Sequence, residues 1–407
     1  MSQEEIAVTG VGAVSPAGIG VDALWQGLNA GVSLATTDRD LAGLPVDFCC
    51  RVPGFNGEMS LGRSLTWRLD RFTQLALVAA REAVADARLD PADWDASRVA
   101  IVLGAGSNSM ESYESTFAKL RDGRPQSVSP LLVPRSIPNA IAAEVAIDLH
   151  ATGPSFVVSS ACASAGHAIG VARELLRSGA CDIAITGGAE SVCNRVASFA
   201  FGRMGALSGR TDDPRAASRP FDAERDGFVL GEGSGVLVLE RISHAKARRK
   251  SVRGYIGGFG ASTDAYHFTA PHPEGEGAVQ AISTALLDAG LQPSDIGHVN
   301  AHGTSTPLND LVEARALRKV FSNPPPVTSS KGVIGHAIGA AAALEAIATL
   351  LALEHQSIPP TANLAHLDPE IDLDVVSHAP RPAHMEFAVT NSFAFGGHNA
   401  VLVLNAA

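Results

Sequence analysis

The sequence predicts an α/β fold made of two similar halves, and three observations carry that prediction. Short apolar runs that read as strands alternate with segments of helical periodicity along the chain. Two stretches of the first half have counterparts in the second. Ala7-Val8-Thr9-Gly10-Val11-Gly12-Ala13 is echoed by Tyr255-Ile256-Gly257-Gly258-Phe259-Gly260-Ala261, and each reads as a strand entering a Gly-x-Gly turn. Val236-Leu237-Val238-Leu239 after Gly235 is echoed by Val401-Leu402-Val403-Leu404 after Ala400, each a strand following a glycine-rich turn. Finally, 46% of the 407 residues are hydrophobic and only 18% charged, which allows a large buried core. The halves are expected at 1–250 and 251–407, sharing that core.

The elements follow in order. Ile6–Gly10 reads as a buried strand, and Arg71–Ala87 as a helix ending before Pro91. Val99–Leu103 is a strand ending at Gly104. Phe156–Ser160 is another, followed by a helix over Ala163–Arg177 that Gly179 stops. Ile183–Thr186 and Val236–Leu239 read as strands, and Ala278–Ala289 as a helix capped by Gly290. Pro324-Pro325-Pro326 and Pro359-Pro360 read as connectors. The 40 glycines call for close backbone packing and tight turns, and aromatics at 5% leave the core mostly aliphatic.

Composition excludes several classes. A net charge of −11 argues against broad nucleic-acid binding, while leaving room for a local basic patch that meets an acidic partner. The run Lys246, Arg248, Arg249, Lys250 reads as a solvated turn. The five cysteines (Cys49, Cys50, Cys162, Cys181, Cys193) are odd in number in a large chain, which argues against a disulfide framework, and they form no CxxC pair, which argues against a structural zinc site. Met1–Thr9 lacks the pattern of a signal peptide. Ala340–Leu353 is apolar but short and holds Glu345, which suits a buried helix better than a membrane span. A reducing cytoplasm is the expected setting.

Four segments carry chemistry. In Val157-Val158-Ser159-Ser160-Ala161-Cys162-Ala163-Ser164-Ala165-Gly166, a strand ends and small residues open a helix. Cys162 is thereby placed at a helix N-terminus, where N–H groups and the helix dipole lower a thiol pKa. The competing reading is a packed core cysteine. Asn300-Ala301-His302-Gly303-Thr304-Ser305-Thr306-Pro307 reads as a loop after a strand. Ser330-Lys331-Gly332-Val333-Ile334-Gly335-His336 leads into a helix near Ala337. Two histidines in loops at strand ends, with a lysine five residues before one, are a plausible set of polar groups converging on one pocket with Cys162 as nucleophile. Metal binding is the weaker reading, because neither His302 nor His336 has a ligand partner three or four residues away, nor a Cys or acid cluster beside it. Asn391-Ser392-Phe393-Ala394-Phe395-Gly396-Gly397-His398-Asn399 reads as a glycine turn between strands, whose N–H groups form an anion hole or which is a plain hairpin loop.

These segments, together with Leu69-Asp70-Arg71-Phe72, Gly187-Gly188-Ala189-Glu190, Arg219-Pro220-Phe221-Asp222 and Gly227-Phe228-Val229-x-Gly231-Glu232-Gly233, resemble the β-ketoacyl synthases of the thiolase superfamily in order and spacing over the whole chain. The resemblance is strongest to the elongating synthase II group and to the ketosynthase subunit of bacterial type II polyketide synthases. It implies a thiolase-like fold: two duplicated βαβαβαββ halves in a five-layered α-β-α-β-α arrangement. It implies a decarboxylative Claisen condensation without a metal or other cofactor, with Cys162 holding the acyl chain. His302 and His336 would bind the malonyl thioester, Lys331 would orient His336 through Glu313 or Asp310, and the N–H groups of Cys162 and Phe395 would form the oxyanion hole. In some relatives a monovalent cation sits near residues matching Asn300, Glu345 and Ser392.

The resemblance also implies partners. An acidic acyl carrier protein would dock on Arg63, Arg68 or Arg71, although Arg71 could equally serve a structural ion pair. The assembly would be a homodimer or a heterodimer with a chain-length factor. Phe395 matches the family's gating phenylalanine, but Ala394 stands where glycine is usual, Gly332 where serine is usual and Ala342 where glycine is common. These departures spare the cysteine and both histidines and lean the reading toward a polyketide ketosynthase over a fatty-acid synthase. A non-catalytic chain-length factor, a thiolase-type enzyme and a cysteine hydrolase are the competing readings. The presence of Cys162, His302 and His336 weighs against the first, the paired histidine motifs against the second, and the lack of a positioned acid beside a single histidine, with the overall motif match, against the third.

Overall fold

The computed structural model describes residues 4–407. Ten main strands form a mixed sheet: β1 (Ile6–Ser15), β2 (Val99–Gly104), β3 (Ser155–Val158), β4 (Ile183–Ser191), β5 (Glu232–Arg241), β6 (Gly254–Thr263), β7 (Ile296–Asn300), β8 (Val327–Thr328), β9 (Phe387–Ala394) and β10 (His398–Ala406). The spatial order is β8-β7-β9-β10-β6-β1-β5-β4-β2-β3, with the two-residue strand Gly18–Ile19 paired to β1. From the centre outwards the first five strands run β1-β5-β4-β2-β3 and the second five β6-β10-β9-β7-β8, which is one order used twice. The pairing types repeat too. The inner two junctions of each set are antiparallel and the outer two parallel. Only a short antiparallel contact, Ala7 with Tyr255 and Val8 with Gly254, joins the sets.

Five helices place the layers: α1 (Arg71–Asp86), α2 (Ser164–Arg177), α3 (Glu276–Ala289), α4 (Pro307–Val320) and α5 (Ala341–His355). α1 covers β1, β4 and β5 on one outer face, and α3 covers β6 and β10 on the other, with α4 against it. α2 and α5 pack against each other and each touches strands of both sets, so they form the middle of an α-β-α-β-α stack. That position explains α5. Its residues from Ala341 to Leu353 are all buried, so it shows no polar face. With the turn before it, Ile338–His355 is long and apolar enough to cross a membrane by length and composition, longer than the run read from the sequence, yet 89% of it is buried inside the protein. It is the core helix of this fold.

Both Gly-x-Gly segments depart from the turn reading, since they lie within β1 and β6. The reason is helix packing. A Cβ on Gly10 or Gly12 would stand 2.2 Å from the carbonyl oxygen of Ala83 or 2.0 Å from that of Ala79, in α1. A Cβ on Gly258 or Gly260 would stand 2.3 Å from that of Ala285 or 2.0 Å from that of Ala281, in α3. The repeated glycines let each outer helix lie directly on its strand backbone. The glycine-rich run before Val236 is also strand, because Gly188 pairs with Gly235 and Glu190 with Gly233 along β4 and β5. A Cβ on Gly187 would meet the Gly235 carbonyl at 2.1 Å.

Candidate active site

Cys162 sits in a single 3₁₀ turn, Ala161–Ala163, between β3 and α2. Ala161 takes a left-handed φ of 49°, an unfavourable conformation for a residue with a Cβ. Ser164 holds the turn: its Oγ donates to the Ala161 carbonyl at 2.7 Å and accepts from the Ser160 N–H at 2.9 Å. The thiol is 6% exposed. The thiolate expected from the sequence is corrected here. Burial pushes the Cys162 thiol up to about 12, and outweighs the Lys331 charge and the N–H groups of Phe395 and Cys162 that favour the anion. The dipole argument neglected desolvation.

His302 lies just beyond β7, on a loop held by α4. The N–H groups of His302 and Gly303 each donate to the Glu313 carboxylate at 2.8 Å, and Asn391 Nδ2 from β9 donates to it at 3.0 Å. α4 starts on a cap that fixes Glu313: Pro307 opens it and the Thr306 hydroxyl accepts the Asn309 N–H. His336 follows a one-turn helix, Lys331–Ile334. Its N–H donates to the Val229 carbonyl at 2.8 Å, and its carbonyl accepts from Gly231 at 2.9 Å. Both imidazoles are buried, which depresses their pKa values well below the ordinary range and keeps them neutral.

The fold brings Cys162, His302 and His336 together. The cysteine sulfur and one nitrogen from each imidazole all lie within 4.8 Å of one another. The two rings meet edge to face with centroids 5.4 Å apart, and Phe228 lies edge to face with His336 at 5.3 Å. The sequence placed no cysteine beside either histidine; the fold places Cys162 beside both. All three line a cavity of about 380 Å³, together with Phe393, Ala394 and Phe395. Exposed Met204 and Leu308 also line it.

Lys331 corrects a second expectation. Its ammonium bonds the Glu345 carboxylate, and it also donates to the His302 carbonyl at 2.6 Å. Its partner is therefore Glu345 on α5, and neither Glu313 nor Asp310. Glu313 is occupied with the His302 loop. Asp310 accepts from the Phe221 N–H at 2.8 Å and the Ser305 N–H at 3.2 Å, and Arg225 lies 3.6 Å away. Asp310 thus ties that loop to the Arg219–Asp222 segment. Asn300 Oδ1 and Glu345 Oε2 are buried without partners. Oxygen ligands of this kind fit the monovalent cation that the resemblance implies in some relatives.

The Phe395 turn joins β9 to β10, with left-handed φ values of 83° at Gly396 and 72° at Gly397. Ala394 itself is extended, with φ −111° and ψ 159°, so its methyl group is unstrained in this state. The other two departures lie outside the cavity lining. A Cβ on Gly332 would come within 3.0 Å of the Ala362 backbone nitrogen, and Ala342 packs with Ala165 and Ala343 between α5 and α2.

Of the basic residues, Arg63 is exposed, Arg68 pairs with Glu144 at 2.6 Å, and Arg71 makes a two-pronged pair with buried Glu232 at 2.8 and 2.6 Å. Arg71 is therefore a structural residue.

Arg203 escaped the sequence reading, and Glu190, quoted there as the end of one motif, was given no role. Exposed Arg203 immediately precedes Met204 and Gly205, which line the cavity. Fully buried Glu190 accepts from the Gly106 N–H at 2.8 Å, the Ser107 hydroxyl at 2.7 Å and the Gly339 N–H at 3.2 Å. It clamps the end of β2 to the turn carrying Ile338, a cavity-lining residue with φ 41°. The signal available for Glu190 was an acid inside a glycine-rich apolar strand.

Residues 3–245 match the family described as Beta-ketoacyl synthase, N-terminal domain, and residues 253–365 match Beta-ketoacyl synthase, C-terminal domain. The chain is 41% identical over 409 aligned residues to 3-oxoacyl-[acyl-carrier-protein] synthase 2 of Staphylococcus aureus (strain N315), covering 99% of each. It is 39% identical to the protein of the same name from Synechocystis sp., covering 99% of this chain and 98% of that one. Among solved structures, the ishigamide ketosynthase/chain length factor superposes with a TM-score of 0.94 at 36% identity, covering all of both chains. A type II polyketide synthase ketosynthase, solved with its acyl-carrier protein and bound to the hexaketide, superposes at 0.91 with 30% identity, again covering all of both chains. With two family matches spanning most of its length, the chain belongs to the β-ketoacyl synthases, carbon–carbon bond-forming acyltransferases of the thiolase-like fold.

Proposed function

We propose that this chain elongates an acyl chain by two carbons through decarboxylative condensation with malonyl-acyl carrier protein. The observation that carries this reading is the buried trio: one thiol and two neutral imidazoles within 4.8 Å on the wall of one cavity. The Cys162 sulfur attacks the thioester of the incoming acyl carrier, the chain moves to Cys162, and the thiol proton leaves with the carrier's thiol. Malonyl carrier then enters. His302 and His336 hydrogen-bond its thioester carbonyl, and loss of carbon dioxide leaves an enolate. Its charge grows on an oxygen facing two N–H donors in a dry pocket, which favours the transition state over the ground state. The enolate carbon attacks the acyl thioester on Cys162. The N–H groups of Cys162 and Phe395 receive the oxyanion, and the Cys162 thiolate is expelled. Lys331 and Glu345 position the His302 loop.

The pathway leaning is toward a type II polyketide ketosynthase. The likeness to the ishigamide ketosynthase/chain length factor and to a type II polyketide synthase ketosynthase, with the Ala394 departure in the cavity wall, favours it. The alternative, a fatty-acid synthase II, is favoured by the names of the curated relatives. The carrier protein, an acidic partner, would dock beside Arg63 and Arg203. Exposed Met59 and Trp67, on the short helices around Arg63, offer it apolar contact. We assign pairing with a second subunit, identical or a chain-length factor, to the edge strand β3. Its Ser155 and Phe156 are exposed, and Phe117, Leu120 and Val133 are exposed apolar residues on helices of the same half. The two halves, 1–250 and 251–407, then contribute the nucleophile and the histidines respectively, in a cytoplasmic enzyme.

The test supplies acyl carrier, malonyl carrier and the enzyme with or without a chain-length-factor subunit, and reads carrier-bound products by mass spectrometry. A product two carbons longer with release of carbon dioxide is expected. Cys162→Ala should lose condensation on the order of 10⁴-fold. Unchanged elongation by Cys162→Ala would remove the nucleophile assignment.

A further inference from the structure

We propose that Cys162, His302 and His336 also form a binding site for a thiophilic d¹⁰ metal cation, Zn²⁺ or Cu⁺, which occupies the cavity in place of the thioester substrate. The donor set is one sulfur and two imidazole nitrogens, the combination that soft and borderline cations take from proteins. All three residues are buried, and His336 Nδ1, His336 Nε2 and His302 Nδ1 have no hydrogen-bond partner. Of the two nearby carboxylates, Glu313 is committed to three N–H donors, and Glu345, whose Oε1 pairs with Lys331, does not line the cavity. They do not turn the site into one for a hard cation. The cavity of about 380 Å³ leaves a fourth position open for water.

The geometry is close to what a tetrahedral site needs. Metal–sulfur and metal–nitrogen bonds of about 2.3 and 2.0 Å place ligand atoms roughly 3.5 Å apart. The observed spread, within 4.8 Å, closes by side-chain rotations on the order of 1 Å. Binding exchanges the thiol proton for the metal: the S–H bond breaks, the sulfur keeps its electron pair and gives it to the cation, and the proton goes to solvent. No oxidant or reductant takes part. Because Lys331 and Glu345 neutralise each other, a Cu⁺–thiolate adds no net charge to the buried wall, whereas a Zn²⁺–thiolate adds one. Cu⁺ is therefore the tighter ligand. The inference stands on the cluster's geometry; only the acylation arm of its test borrows the proposed reaction.

The experiment titrates the purified full-length protein with Co²⁺ as an optical probe for Zn²⁺, under anaerobic conditions. Expected is one equivalent of Co²⁺ giving a sulfur-to-cobalt charge-transfer band and tetrahedral d–d bands, displaced by Zn²⁺ and, under reductant, by Cu⁺. The bands should vanish in Cys162→Ser and the affinity should fall at least about 100-fold in His302→Ala. They should persist in Cys49→Ser/Cys193→Ser. Wild-type enzyme acylated on Cys162 should not bind, a comparison that needs no variant to fold. Cobalt bound without a thiolate band, or with equal affinity by Cys162→Ser, would overturn the proposal. If acylated enzyme binds as well as free enzyme, the site lies elsewhere.

Discussion

The two halves of this molecule use one strand order but put different residues at equivalent strand ends. In the first half, β2 ends in Gly104-Ala105-Gly106, β3 leads into the Cys162 turn, and β4 ends at Glu190 and Ser191. In the second half, β7 ends at Asn300 before His302, β8 leads into Lys331 and His336, and β9 ends at the Phe395 turn. The first half therefore brings Cys162, the proposed nucleophile, to the crevice beyond the strand ends and keeps its other loops small. A Cβ on Gly104 would lie 2.4 Å from the Ala165 nitrogen, so side chains are excluded there to let α2 approach. The second half brings the polar groups. The duplication supplies a scaffold, and chemistry is a property of what each copy places at the carboxyl ends of its strands.

The sharpest way to break this comparison is to damage the support that only the second half has. Lys331 and Glu345 form a buried ion pair, 1% and 2% exposed in their side chains. Removing one partner leaves an unpaired buried charge and should cost about 3–5 kcal/mol. Lys331→Met alone is expected to lower the unfolding free energy, read from urea unfolding, by that amount, whereas Lys331→Met/Glu345→Leu should recover most of it. If the two substitutions are simply additive, the pair is not a coupled unit. Next in size is the division of labour. His302→Ala should slow malonyl decarboxylation about 10²–10³-fold. Acyl transfer to Cys162, followed by mass spectrometry of the acylated enzyme, should change far less. Equal losses in both half-reactions would mean that the halves do not divide the chemistry.

The alternation of strands and helices was legible because β2 and β4 are short apolar runs ended by glycine and α2 is periodic. The repeat was legible because the same glycines recur where α1 and α3 press on β1 and β6. Their role was misread as turns, since a glycine that admits a helix and a glycine that bends the chain look alike in one sequence. Cys162, His302 and His336 were legible as residues in unusual loops. Their mutual approach was not, because it spans 174 positions from Cys162 to His336 and depends on how the halves pack. The resting thiol pKa and the true partner of Lys331 were illegible for a related reason. The first depends on burial by elements distant in sequence, and the second on which of three acids within about twenty residues the packing of α5 turns toward the lysine.

Glu190 sharpens the comparison at the seam between the halves. It belongs to β4, yet it holds Gly339 of the second half as well as Gly106 and Ser107 of the first. Burial lifts its carboxyl from an ordinary 4.5 to about 7, despite the donors that favour the anion. The folded protein therefore keeps a proton that the unfolded chain releases as pH rises above 4.5. Stability contributed by this group is present in full below that value and falls through the window up to about 7, by about 3 kcal/mol at most. Glu190→Gln removes the titration but keeps an oxygen acceptor for the clamp. The expected result is that the stability difference between wild type and Glu190→Gln shrinks as pH rises from 4.5 to 7, read from urea midpoints at several pH values. Parallel pH profiles would mean that the carboxyl is ionised throughout. The seam would then be held by charge, and the protonated, nearly neutral contact inferred from its burial would be wrong.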